Sequence, residues 1–107
     1  MRVLLDECVD WRLSRDIVGD EVRTFRQLGW TGFKNGELLR LAAGAFDVFV
    51  TVDRNVSFQQ DVSSLSIAVI LLEAKTNRLA NLIPLVPQLL SNILSASQSG
   101  VHRVSAP

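Results

Sequence analysis

The sequence predicts an α/β protein: a mainly parallel sheet of four or five strands, covered by helices on both faces. Three observations carry that expectation. Short β-branched or apolar runs alternate with segments of helical periodicity. The runs Val48–Val52 and Leu65–Leu72 contain no charged residue, as strands buried on both faces require. Acidic residues gather where strands should end, at Asp6-Glu7 and Asp53. The length of 107 residues fits one domain with one core, here residues 1–107.

The elements follow in order. Arg2-Val3-Leu4-Leu5 reads as a buried first strand, stopped by Asp6-Glu7, and it is expected at the centre of the sheet. Trp11, Leu13, Ile17 and Val18 recur at helical spacing behind Asp10, a natural N-cap. Gly19-Asp20 punctuates a turn, and Glu21-Val22-Arg23-Thr24-Phe25 alternates polar and apolar as a second strand would. Gln27 to Gly32 reads as a half-turn and loop. Asn35 is placed to cap an Ala/Leu-rich helix from Leu38 to Ala45. Asp47-Val48-Phe49-Val50-Thr51-Val52-Asp53 is the clearest strand. Arg54–Ser64 is polar and fits a loop with one helical turn, and Leu65–Leu72 is a fourth strand. Asn77 is placed to cap a last helix with a stripe of Leu79, Leu82, Ile83, Val86, Leu90 and Ile93, bent but not broken by Pro84 and Pro87. Val101–Val104 is a final edge strand.

Composition narrows the function classes. Apolar residues are 48% and charged residues 21%, which argues against disorder. Eleven Lys and Arg balance eleven Asp and Glu, so no net field draws the chain to nucleic acid or anionic lipid, although a local patch would suffice. Cys8 is the single cysteine and has no disulfide partner within the chain. No stretch suits a signal peptide or a membrane span, so a soluble cytoplasmic protein is expected.

In a parallel α/β sheet the functional crevice lies beyond the carboxyl ends of the strands. Asp6, Glu7 and Asp53 fall there, and Glu37 opens the helix that precedes the third strand. Carboxylates that converge repel one another unless a cation is shared, and an all-oxygen donor set favours Mg²⁺ or Mn²⁺. Such ions activate water and offset charge on a phosphodiester, which makes the constellation nuclease-like. Shared coordination requires Asp6, Glu37 and Asp53 to lie about 4–8 Å apart. Plainer roles stand beside these. Glu37 suits the helix dipole, Asp53 with Arg54-Asn55 suits an Asx turn, and Asp10 suits a cap. Asp47 begins its strand at the far end of the sheet, Asp61 suits a solvated loop, Cys8 a buried thiol, and His102 the surface.

Three segments carry a resemblance: Leu4-Leu5-Asp6-Glu7, Asn35-Gly36-Glu37-Leu38-Leu39 and Val50-Thr51-Val52-Asp53-Arg54. In order and spacing they resemble the short PIN-like proteins of prokaryotic toxin–antitoxin loci, across about residues 2–94. The resemblance implies a three-layer α/β/α PIN-like domain, a weakly bound Mg²⁺ or Mn²⁺, ribonuclease chemistry on RNA and an antitoxin encoded nearby. It places Asp6, Glu37 and Asp53 as catalytic metal ligands, with Glu7 in support and Asn35, Asn55 and Thr51 alongside. Asn35 and Asn55 stand where relatives carry Asp, and Cys8 where many carry Asn. Each Asn keeps an oxygen donor but removes a charge, so a binding module that has lost catalysis is the alternative. A phosphoacceptor receiver domain is a third reading, prompted by Lys75 after the fourth strand. Arg12, Arg15, Arg40 and Arg54 lie near the acids in sequence and are candidates to hold an RNA backbone. Leu28, Trp30 and Phe33 place large apolar groups in a Gly-rich region, where a homodimer or antitoxin interface would cover them.

Overall fold

A computed structural model describes residues 1–17, 21–30, 35–53, 67–95 and 100–105, without the side chains of 35–39, 95 and 100. Five strands form one sheet: β1 (Arg2–Leu5), β2 (Glu21–Thr24), β3 (Val48–Thr51), β4 (Ala68–Glu73) and β5 (Gly100–Ser105). All pairings are parallel and the order is β2-β1-β3-β4-β5. The middle strand is therefore β3, with β1 interior beside it, rather than β1 at the centre. The chain starts at β1, steps to β2 on one side, then crosses to β3 on the other. That reversal between β1 and β3 is the switch point, where doubly wound sheets open a crevice.

Strand alternation divides the core in two. On one face Val3, Leu5, Val48, Val50, Ile70, Leu72 and Val104 pack beneath Leu13 and Ile17 and beneath Leu82, Leu85, Leu89 and Ile93. On the other, Leu4, Phe49 and Val69 pack with Phe25, Ala42 and Phe46, and the Phe25 and Phe49 rings stack with centroids 6.1 Å apart. Helical segments thus cover both faces, as the charge-free strands predict.

The segment after β1 is a 3-10 helix, Trp11–Asp16, rather than an α-helix reaching Val18, which lies outside the described residues. Asp10 caps it as expected, accepting from the Arg12 N–H. Phe25 belongs to a helix and not to β2. Thr24 and Gln27 form a reciprocal capping box that opens α1 (Phe25–Leu28), and Gly29 closes it at φ 70°, a conformation costly for any residue with a Cβ. Leu28 and Trp30 pack partly on the second core, Trp30 edge-on to Phe46, so they cover their own chain; Phe33 lies outside the described residues.

The helix α2 (Asn35–Ala45) precedes β3. The segment 54–64, expected as a polar loop, and the first two residues expected in the fourth strand lie outside the described residues. After β4, Asn77 does not cap: Arg78 is the N-cap, without a side-chain cap bond, and Asn77 donates to the Cys8 carbonyl instead. The last helix is interrupted, not merely bent. Helix α3 (Leu79–Leu82) passes through a 3-10 turn, Ile83–Leu85, into α4 (Val86–Ser95). A 3-10 residue advances about 120° instead of about 100°, so the turn rotates the buried stripe. Leu85 and Leu89 are buried, while Ile83, expected in the stripe, is 45% exposed. Among the described residues no helix is long and apolar enough to cross a membrane.

At the amino ends of the strands Asp47 accepts from the Arg2 backbone N–H at 2.8 Å and from its guanidinium, tying β1 to β3 away from the crevice. Those bonds hold Asp47 below the usual carboxylate range.

Candidate functional site

The parallel register sets Leu5 opposite Val50, so Asp6 and Thr51 meet at the carboxyl edge of the switch point. Thr51 is fully buried, the one buried polar side chain among the described residues. A buried hydroxyl must be satisfied, and Thr51 is. Its hydroxyl donates to Asp6 Oδ2 at 2.7 Å and accepts the Asp53 N–H at 3.0 Å. Cys8 Sγ lies 3.7 Å from the same oxygen. A threonine has one proton to give, and Asp6 takes it, so the Cys8 thiol is the donor in that contact.

One side chain therefore joins both strand ends. It orients the Asp6 carboxylate and closes an ST turn that carries the chain from β3 to Asp53. The Asx turn expected at Asp53 with Arg54-Asn55 lies outside the described residues. The Asp6 backbone is held as well: its N–H donates to the Val50 carbonyl at 2.9 Å, and its carbonyl accepts the Val9 N–H at 3.0 Å. Burial pushes the Cys8 thiol up, and the negative charge of Asp6 pushes it further. Both effects favour the neutral thiol over a thiolate nucleophile.

An open cleft of about 1110 Å³ lies beside this network. Asp6, Glu7, Cys8 and Asp10 line it from the β1 end, Trp11, Arg12 and Arg15 from the 3-10 helix, Arg26 from α1, and Asn77 and Arg78 from the loop after β4. Glu7 is exposed. Arg12 grips Asp10 at 2.7 Å, which draws that carboxylate's pKa down to about 2. Arg15 stacks on Trp11.

Of the residues singled out in sequence, Asp6, Thr51 and the Asp53 backbone are brought together. The side chains of Glu37 and Asn35, and all of Arg54, Asn55 and Asp61, lie outside those described. Among the described residues no three His, Cys, Asp or Glu side chains form a group able to hold a metal ion. Arg40 is exposed on α2 and does not line the cleft. His102 is half-buried in β5 rather than fully on the surface. Sequence reading passed over Trp11, Arg26 and Arg78 as cleft residues. The available signal was position: each follows closely on the carboxyl end of a strand, as Asp6 does.

Asp6 presents a carboxylate whose Oδ2 is fixed by the Thr51 hydroxyl. Comparison with protein-family models, with curated proteins and with solved structures returned no match to this chain.

Proposed function

We propose that this chain is a PIN-like, divalent-metal-dependent ribonuclease serving as the toxin of a toxin–antitoxin pair in the cytoplasm. The observation that supports this most is the Asp6–Thr51–Asp53 arrangement at the β1/β3 switch point. In this reading Asp6, Asp53 and Glu37 hold Mg²⁺ or Mn²⁺, with Glu7 in support and Asn35 and Asn55 as weaker oxygen donors. The bound ion supplies charge to offset the phosphate oxygens during displacement. Thr51 holds Asp6 in its ligating orientation, much as outer-shell partners orient metal ligands generally. Glu37 orients the attacking water, and the cleft arginines keep the RNA backbone in register. An antitoxin covers the cleft when cleavage is to be silenced.

A second reading, the non-catalytic binding module, rests on Asn35 and Asn55, which stand where the PIN-like proteins carry Asp and so remove two charges from the proposed site. The receiver reading fits the strand order but finds Thr51, not an aspartate, opposite Asp6.

Incubation with a short unstructured RNA in Mn²⁺, and in EDTA, separates them. The ribonuclease reading predicts Mn²⁺-dependent cleavage that falls at least about a hundredfold in Asp6→Asn and Asp53→Asn, the scale of a lost metal contribution of several kcal/mol. No cleavage above the EDTA control, with RNA or protein binding retained, selects the binding module.

A further inference from the structure

Trp11 is 54% exposed at the head of the 3-10 helix and lines the cleft beside Asp6. It is not needed for the core, because Leu13 and Ile17 carry the burial of that segment. Arg15 lies over its ring, with the guanidinium carbon 4.9 Å from the centroid. This cation–π pair holds the indole in place and leaves more than half of the side chain's surface to solvent. In the lining of the same cleft Arg26 and Arg78 are exposed, and neither makes an ion pair among the described residues, whereas Arg12 is committed to Asp10.

We propose that Trp11, braced by Arg15, is a stacking platform for one unpaired base of single-stranded RNA, with Arg26 and Arg78 taking the flanking phosphates. The choice of RNA rests on the ribonuclease reading of the neighbouring acids; the platform itself rests on Trp11. Aromatic side chains stack any base whose face is free, and a duplex hides those faces within its own stack. The cleft therefore selects single strands over duplexes by stacking rather than by base edges. The volume of about 1110 Å³ accommodates a base together with the adjoining backbone. The arginines line it from α1 and from the loop after β4, two segments separate from the one that carries Asp6 and Glu7.

The test is a binding titration in EDTA, where no metal-dependent cleavage occurs, with a labelled short unstructured RNA and the same RNA annealed to its complement. The wild-type chain should bind the single strand more tightly than the duplex. Trp11→Ala should weaken single-strand binding about tenfold, with Trp11→Phe retaining most of it. Arg26→Ala and Arg78→Ala should each weaken binding and flatten its salt dependence. Trp11 is exposed, so these variants should keep the wild-type circular dichroism. Unchanged binding by Trp11→Ala, or equal affinity for duplex, overturns the platform. Cleavage in Mn²⁺ is scored separately: its absence with stacking intact removes only the ribonuclease reading, and its presence without stacking removes only the platform.

Discussion

Thr51 concentrates the chemistry of the site in one hydroxyl with its single proton spent on Asp6 and its lone pairs facing the Asp53 N–H and the Cys8 thiol. Thr51→Val keeps the shape and removes the hydroxyl, leaving the Asp53 N–H and Asp6 without their partner. That loss should cost about 1–3 kcal/mol in chemical denaturation. Thr51→Ser keeps the hydroxyl and should cost about 1 kcal/mol for the lost methyl. A drop in Thr51→Ser with none in Thr51→Val would mean that packing, not hydrogen bonding, is what Thr51 supplies. Asp10 acts at the surface. Its side chain accepts from both the backbone and the guanidinium of Arg12, and its pKa falls to about 2 from an unfolded value near 3.9. A carboxylate depressed on folding stabilises above its unfolded pKa and loses that contribution as pH falls through the folded one. The stability difference between wild type and Asp10→Asn should therefore be constant at neutral pH and shrink between about pH 4 and pH 2. Acid-dependent thermal melts of the two proteins read it directly, and the effect should be small because the pair is exposed to solvent.

Among the elements, the strands were the most legible. Val48–Thr51 and Ala68–Leu72 are buried throughout, and a continuous apolar run without charge has few other places to go in a small α/β domain. The helices were less so, for reasons of geometry. The Thr24–Gln27 box competes with the alternation that extended β2 to Phe25, and two reciprocal hydrogen bonds win over one more strand residue. The turn at Ile83–Leu85 shifts the helical phase, which a single 3.6-residue stripe cannot register. The shifted phase has a measurable consequence. Leu89 is fully buried, so Leu89→Ala should cost about 2–5 kcal/mol. Leu94 is 83% exposed, so Leu94→Ala should change stability by no more than about 0.5 kcal/mol. Comparable losses at both positions would show that α4 is rotated from the orientation described.

At the scale of the molecule, topology does what no single residue can. Crossing from β2 over β1 to β3 brings residues 45 apart in sequence, Asp6 and Thr51, to a 2.7 Å hydrogen bond. The acids at the strand ends were legible because in parallel α/β sheets carboxyl ends and function coincide. The positive side of the cleft was not, because Arg26 and Arg78 come from separate segments and the net charge is zero. A neutral chain can still gather acids and cations along one cleft, as Asp6 and Glu7 are gathered here with Arg26 and Arg78. The central claim is that the β1/β3 switch point holds a divalent cation on Asp6. Its most direct test is anomalous diffraction from crystals soaked in Mn²⁺. The account predicts a manganese peak within coordinating distance of the Asp6 carboxylate, with Asp53 or Glu37 beside it, that disappears in Asp6→Asn. A fully soaked crystal with no peak there, or with manganese only at acids away from the switch point, would contradict it.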